Sequence, residues 1–187
     1  DGSNLAGKQV VVYEELYIGD NLIGEHKDIN DEGQTVTFPH LNTNASDGVT
    51  GNHTGTVSEK ATVIDVVTYT GLIPGKEYTV KGTLMNKETG EPVKNSEGKE
   101  ITAEKTFTPE KADGSVELVY ELDSTLLEGQ TVVVFEDLLY NGVEVGSHAD
   151  IKDEDQSVHY PDLGTQAKDK TTGLQEGIRK EQTVIED

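Results

Sequence analysis

The feature that most constrains this chain is a long internal repeat. Residues 5–47 align without a gap with residues 127–169 at an offset of 122, and 20 of the 43 aligned positions are identical. A repeat of this length corresponds to a whole domain rather than to one turn of a solenoid, whose repeats are about 20–50 residues long. The identities include polar pairs as well as apolar ones: Glu14 with Glu136, His26 with His148, Asp28 with Asp150, Gln34 with Gln156, Pro39 with Pro161, and Thr43 with Thr165.

The repeat pattern predicts one complete unit flanked by parts of two neighbouring units. We expect residues 1–40 (the head segment) to be the C-terminal strands of one repeat and residues 41–162 (the central unit) to be one complete repeat. Residues 163–187 (the tail segment) then begin the next, and their QTVIED sequence at 182–187 echoes ATVID at 61–65. A domain does not normally spare half of its strands. The two flanking segments are therefore predicted to lack a core of their own.

Charge and composition exclude several classes of function. The chain has 36 acidic and 15 basic residues, for a formal net charge of −21. This sign opposes binding to nucleic acid through phosphates and to anionic membrane surfaces, so we expect neither partner. No cysteine is present, which excludes disulfides, thiolate metal sites and cysteine nucleophiles. If the protein is secreted, it needs another kind of stabilising link.

The central unit is predicted to be an all-β, Ig-like Greek-key β-sandwich with very little helix. Short alternating segments separated by turn residues are typical of such sandwiches, and no segment has sustained helical periodicity. The predicted strands are Thr62–Tyr69, Tyr78–Met85, Ile101–Thr108, Ser115–Leu122, Thr131–Tyr140, Val143–His148 and Gln156–Tyr160.

One hairpin sets the relation between an acid and a histidine. A two-residue loop at Asn141-Gly142 would pair Glu136 with Ser147, whereas a three-residue loop, 141–143, would place His148 opposite Glu136. Both copies keep Glu and His twelve residues apart although their loop residues differ. We therefore expect the three-residue loop, which commonly contains one left-handed residue.

Five polar residues of the central unit are suited to an acyl transfer. Thr43 offers a hydroxyl nucleophile, His148 a base, and Gln156 an amide that can lose ammonia. Asp65 and Glu136 are carboxyls that can share a proton, and Glu136 lies among Val and Phe, where a carboxylate is costly unless it is partnered. Taken singly, these residues are also compatible with a capping threonine, a structural histidine and a solvated glutamine. The acidic run at 153–155 lacks the glycine-centred loop of a calcium site and is predicted to be a solvated turn.

The central unit resembles the Thr–Gln ester-bond domains, or VaFE-repeat domains, of Gram-positive surface adhesins. The resemblance is carried by VVVFE at 132–136, GSHADIKDEDQSV at 146–158, VTYTGLIPGKEYTVKGTLM at 67–85 and the LxTxA start at 41–45. It implies an ester between Thr43 on the first strand and Gln156 on the last, with His148 as base and Asp65 and Glu136 as the acid pair. It also implies an autocatalytic reaction that uses no cofactor, no metal and no external substrate. The equivalent residues of the partial repeats are Glu14, His26, Gln34 and Thr165.

The resemblance implies a structural role. We expect an extracellular, cell-wall-anchored stalk module whose partners are neighbouring repeats, with head-to-tail contact between Thr165 of one chain and Gln34 of another as a possibility. One alternative is a ligand-binding adhesin module. Another is a Lys–Asn isopeptide domain of similar fold that uses Lys81 as its amine.

Overall fold

The fold is nearly all β, as the sequence predicts. The structure is a computed structural model that describes residues 2–176 and 184–186. Within these residues the strands are β1 (Gln9–Val11), β2 (Glu14–Ile18), β3 (Asn21–His26), β4 (Thr35–Thr37), β5 (His40–Asp47), β6 (Ala61–Thr70), β7 (Tyr78–Asn86), β8 (Thr102–Phe107), β9 (Gly114–Leu122), β10 (Thr131–Tyr140), β11 (Val143–His148), β12 (Ser157–His159), β13 (Lys168–Asp169) and β14 (Ile185–Glu186). The described helices are three single 3₁₀ turns at Ser3–Leu5, Glu32–Gln34 and Ser124–Leu127.

The central unit is a sandwich of two antiparallel sheets. One sheet has the order β5–β6–β9, and the other has the order β11–β10–β7–β8, with β12 also pairing β10. Inward and outward residues alternate along the strands, most regularly on β6, because successive side chains of a strand point to opposite faces. The inward side chains of both sheets form one apolar cluster, which includes Val63, Val67, Val80, Leu84, Leu118, Val132, Val134 and Leu138. The predicted fold class is confirmed.

The cross-link candidates lie where the edges of the two sheets meet. β5 is an edge of the three-stranded sheet, and β11 and β12 follow one another along the same edge of β10. The chain that joins β11 to β12 bridges the two sheets. The amide of Ala45 on β5 donates to the carbonyl of Asp155 (2.8 Å), and the amide of Val134 on β10 donates to the carbonyl of Gln156 (3.2 Å).

The loop after β5 fixes β12 from the other side. The amide of Gly55 donates to the carbonyl of His159 (2.7 Å), and the amide of His159 donates to the carbonyl of His53 (2.8 Å). The Asp47 carboxylate holds this loop in shape by accepting from the amides of Thr50 and Thr56. The strand that follows Gln156 is therefore bonded to the loop that follows β5, the strand of Thr43.

The β10–β11 hairpin has the predicted pairing but not the predicted loop. Glu136 is paired with His148, yet the loop has two residues, because Tyr140 pairs with Val143. Asn141 and Gly142 have φ of +51° and +77°, as a type I′ turn requires. A β-bulge supplies the extra residue: Leu138 pairs with Gly146 and Leu139 with Glu144, which leaves Val145 unpaired. The prediction of a three-residue loop was wrong, since a bulge shifts the register in the same way.

The flanking segments form small sheets of their own. In the head segment β1 pairs with β4 and β2 with β3, and in the tail segment β13 pairs with β14. The boundaries of the three segments stay a prediction. Part of the 182–187 echo, at residues 182, 183 and 187, lies outside the described residues. Within residues 2–176 and 184–186, no helix has the length and apolar character needed to cross a bilayer.

Candidate cross-link site

Four of the five candidate residues are almost completely buried. Thr43 on β5 and Asp65 on β6 extend inward from the three-stranded sheet, and Glu136 on β10 extends inward from the opposite sheet. Gln156 lies directly before β12. The exposed fractions are 3% for Thr43, 0% for Asp65, 1% for Glu136 and 0% for Gln156. Polar side chains are rarely buried to this extent without a partner or a function.

The two buried carboxyl groups interact with each other. Burial raises the pKa of Glu136, and the neighbouring Asp65 charge raises it further, while the adjacent Thr43 hydroxyl opposes the shift. Burial likewise raises the pKa of Asp65, against the opposing effects of Glu136 and His148. Two adjacent carboxylates cannot both ionise in an apolar interior. The pair therefore holds a proton at neutral pH.

The polar atoms of this group make no hydrogen bond of good geometry among the described residues, although Thr43, Asp65 and Glu136 are close enough to act on one another. They are Thr43 Oγ1, both carboxyl oxygens of Asp65 and Glu136, and both amide atoms of Gln156. A buried donor or acceptor without a partner costs about 1–3 kcal/mol. So many orphaned polar atoms at one position in a core indicate a site whose chemistry is not explained by hydrogen bonding alone.

The fifth candidate, His148, lies at the rim of this group and is oriented by an aspartate. Its Nε2 lies 2.7 Å from Asp153 Oδ2, and the two side chains are 20% and 22% exposed. His148 also interacts electrostatically with Asp65. The carboxylate of Asp153 accepts from the amide of Asp155, and its carbonyl accepts from the Ser157 hydroxyl.

The prediction that residues 153–155 form only a solvated turn was therefore wrong for Asp153. A sequence signal for its role was present, because Asp31 and Asp153 are identical residues that each follow the repeated histidine by five positions. No group of three or more acidic or histidine side chains in the described part of the chain is arranged to hold a metal ion.

The head and tail segments do not reproduce the site. His26 Nε2 lies 2.6 Å from Asp31 Oδ2, as in the central unit, but Glu14 is exposed and Gln34 is only half-buried. Thr165 is exposed and lies outside the strands. In the central unit Asp65 interacts with Glu136 and His148, Glu136 interacts with Thr43, and the buried Gln156 is held by its backbone to β10. The equivalent residues Glu14, Gln34 and Thr165 are not buried in this way.

Lys81, the amine of the isopeptide alternative, is not buried. Its side chain is 54% exposed and forms an ion pair with Glu104 at 3.2 Å. Lys81 points outward on β7, because the inward positions on either side of it are Val80 and Gly82. The Lys81 amine is therefore not enclosed by apolar side chains, which counts against the isopeptide alternative.

Comparison with known proteins identifies the family. A family model described as a T-Q ester bond containing domain matches residues 1–38 and, a second time, residues 39–160. The chain belongs to this family. Among curated proteins, none matches the chain.

Solved structures similar to this T-Q ester domain protein support the fold. A bacterial adhesin from Mobiluncus mulieris, described as containing intramolecular disulfide, isopeptide and ester bond cross-links, matches in two crystal forms. The first has a TM-score of 0.53 and 19% identity, and the second has 0.54 and 18%. In both cases the match covers 68% of this chain and 59% of the adhesin chain. The T-Q ester domain thus shares its β-sandwich fold with part of that adhesin.

Proposed function

We propose that the protein is a structural module of a bacterial cell-surface adhesin, stabilised by an intramolecular ester between Thr43 and Gln156. The module forms this bond on itself, once, and acts on no external substrate. The family match and the fold shared with an adhesin support the general role. The placement of the bond rests on the buried group of Thr43, Asp65, Glu136 and Gln156.

The observation that carries the proposal is the set of orphaned hydrogen-bond donors. Thr43 buries one O–H beside Glu136, and Gln156 buries a side-chain NH₂ group, and neither makes a hydrogen bond of good geometry among the described residues. When Thr43 Oγ1 bonds to Gln156 Cδ and the Cδ–Nε2 bond breaks, ammonia leaves with the hydroxyl hydrogen and both amide hydrogens. The reaction therefore removes all of the unpaired donors of these two residues. The remaining carbonyl oxygen is an acceptor that a protonated carboxyl can bind.

The carboxyl pair would stabilise the intermediate of this acyl transfer. Negative charge develops on Gln156 Oε1 when Thr43 Oγ1 attacks the carbonyl carbon. A neutral carboxyl that donates a hydrogen bond to this oxygen acts as an oxyanion hole in a dry, low-dielectric site. Glu136 fits this role because burial and the Asp65 charge both keep its proton in place.

His148 would act as the base for the Thr43 hydroxyl and then as the acid for the departing amine. Its Nε2–H donates to Asp153, which leaves the other ring nitrogen free to accept the proton. An aspartate in this position fixes the tautomer and stabilises the imidazolium when it forms. Proton transfer of this kind contributes about 10²–10⁴-fold in rate.

The position of the bond suits a stalk under tension. Thr43 lies on β5, where the chain enters the central unit, and Gln156 directly precedes β12, where the chain leaves it. A covalent bond between these two positions would carry a pulling force past the sandwich rather than through its hydrogen bonds. We place the module outside the cell, in a wall-anchored protein that contains neighbouring repeats of the same kind.

Intact mass spectrometry of the denatured full chain tests the proposal. The expected mass is lower than the sequence mass by one ammonia, and Thr43→Ala restores the full mass, whereas Thr165→Ala does not. Treatment with hydroxylamine distinguishes the chemistry, because it cleaves an ester and leaves an isopeptide intact. A wild-type chain of full sequence mass would refute the proposal.

A further inference from the structure

A buried tyrosine, Tyr120, lies close to the Asp65–Glu136 carboxyl pair. Tyr120 lies on β9 with 1% of its surface exposed, and its hydroxyl has no hydrogen-bond partner among the described residues. Tyr120 pairs with Val63 on β6, and Asp65 follows Val63 by two residues on the same inward face. Such diagonal neighbours are within reach of a long side chain.

Because Gly82 has no side chain, the Tyr120 hydroxyl has room to pack against the opposite sheet. A methyl group placed on Gly82 of β7 would overlap the Tyr120 hydroxyl and would lie 2.9 Å from its ring carbon Cζ. Gly82 is the residue that pairs with Glu136 on β10, and both face inward. The tyrosine therefore spans the core, with its ring attached to the sheet of Asp65 and its hydroxyl beside Glu136.

Electrostatics agree with this placement. Burial raises the pKa of Tyr120 well above its ordinary value, and the charges of Asp65 and Glu136 raise it further. The hydroxyl therefore keeps its proton and can act as a donor. The other charged groups that act on the pair are His148 on β11, which interacts with Asp65, and Asp153, which interacts with Glu136.

We infer that Tyr120 is a positioning residue for ester formation, whose hydroxyl donates a hydrogen bond to the ionised member of the Asp65–Glu136 pair. This bond holds the other member with its proton directed toward Gln156. No atom of Tyr120 enters the reaction, so Tyr120 acts only through the pair. The inference rests on the proposed function, and it adds a member to the site that the cross-linking residues do not include.

The chain offers a matched control in Tyr160. This tyrosine is also fully buried with an orphaned hydroxyl, but the acidic group that acts on it is Asp47 rather than the carboxyl pair. Its ring lies against Gly55. Replacing either tyrosine with phenylalanine removes one oxygen from the same core, so a general packing effect would appear in both variants.

The test is the rate of bond formation as a function of pH. Full-length chains from a short cell-free translation pulse are quenched in acidic urea, diluted into buffers between roughly pH 5 and 10, and followed by intact mass. A wild-type chain that never loses ammonia would defeat the proposed function itself. A wild-type chain that reacts makes the variants interpretable.

Tyr120→Phe is expected to form the bond about 10-fold more slowly at neutral pH, because a hydrogen bond to a charged group is lost. The acid limb of its profile moves up by roughly one pH unit, since the ionised member of the pair is no longer stabilised relative to its protonated form. Tyr160→Phe keeps the wild-type rate and limb. Equal profiles for Tyr120→Phe and wild type, or equal slowing of both variants without a shift of the limb, would overturn the inference.

A second variant keeps the test valid if Tyr120→Phe folds poorly. Incorporation of 3-fluorotyrosine at position 120 preserves the shape of the side chain and makes its hydroxyl a stronger donor. A stronger donor favours the ionised member of the pair, so the acid limb is expected to move down in pH, opposite to the phenylalanine variant. An unchanged limb would contradict the inference.

Discussion

The head segment and the end of the central unit contain the same sequence in two different surroundings. Locally their structures agree. Glu14 pairs with His26 across a two-residue loop and a bulge, as Glu136 pairs with His148. The amide of Val12 donates to the carbonyl of Gln34, as that of Val134 donates to Gln156.

The two copies differ in what covers them. Val10, Val12 and Leu16 of the head segment are 37%, 48% and 62% exposed, whereas the aligned residues Val132, Val134 and Leu138 are 0% exposed. Glu14 is exposed, but Glu136 is buried beside Asp65 with a raised pKa. The hairpin, the bulge and the histidine–aspartate contact thus follow from local sequence. The buried carboxyl pair requires the sheet β5–β6–β9 opposite it.

The largest expected difference between the copies concerns the two threonines. Residues 43 and 156 are 113 positions apart, and a cross-link that closes such a loop stabilises by about 4–5 kcal/mol in the loop-entropy model. Thr43→Ala is therefore expected to lower the free energy of unfolding in guanidinium by about this amount. Thr165→Ala should change it by less than about 0.5 kcal/mol. Equal effects would contradict the placement of the bond.

The two histidines are expected to differ in the rate of bond formation. His148→Ala removes the base and should slow ester formation by about 10²–10⁴-fold, which leaves folded chains of full mass. His26→Ala removes the same local contact from the head segment and should leave the rate unchanged. The measurement is the fraction of chains that have lost ammonia at fixed times after synthesis. A normal rate in His148→Ala would show that another group is the base.

The aligned residues Leu138 and Leu16 have similar local sequence but differ in burial, so variants at these positions measure the effect of burial. Leu138→Ala opens a cavity in the core and should lower the free energy of unfolding by about 2–5 kcal/mol. Leu16→Ala, at the equivalent but exposed position, should change it by less than about 0.5 kcal/mol. Denaturant unfolding of the two variants measures both values. A large loss for Leu16→Ala would mean that a partner covers the head segment in solution.

The aligned glutamates, Glu136 and Glu14, are expected to differ in their effect on the pH dependence of stability. In a Thr43→Ala background, folding raises the pKa of Glu136 and Asp65, so the folded state holds protons that the unfolded state loses. Stability from the neutral pair is complete below the unfolded pKa and is lost as pH rises above about 4. The expected slope is about 1.4 kcal/mol per pH unit for each proton. Glu136→Gln should reduce this slope and Glu14→Gln should not, and the reverse result would place the raised pKa elsewhere.

The strands were predictable because their alternation and turns are local properties. The residues that make up the site were also predictable. A glutamate within VVVFE is costly without a partner, and the identities between the two copies indicated which polar residues belong to one site. The loop length was not, because a bulge at Val145 and a longer loop give the same pairing of Glu136 with His148. A bulge leaves no mark in residue spacing.

Contacts between the sheets could not be read from the repeat. Tyr120 and Gly82 lie in the middle of the central unit, which has no second copy in this chain, so no repeated identity marks them. Their relation to Glu136 depends on how one sheet packs on the other. Lys81 shows that sequence neighbours can also mislead. Successive residues of a strand point to opposite faces, so apolar neighbours of Lys81 in sequence do not show that its own side chain is buried.

Peptide mapping of the intact chain tests the central claim most directly. After proteolysis, we expect one linked pair of peptides in which Thr43 is joined to Gln156 with the loss of one ammonia. Peptides that contain Gln34 and Thr165 should be recovered separately and unmodified. Recovery of the Thr43 and Gln156 peptides as separate, unmodified species, or a linkage through Thr165 and Gln34 instead, would contradict the account.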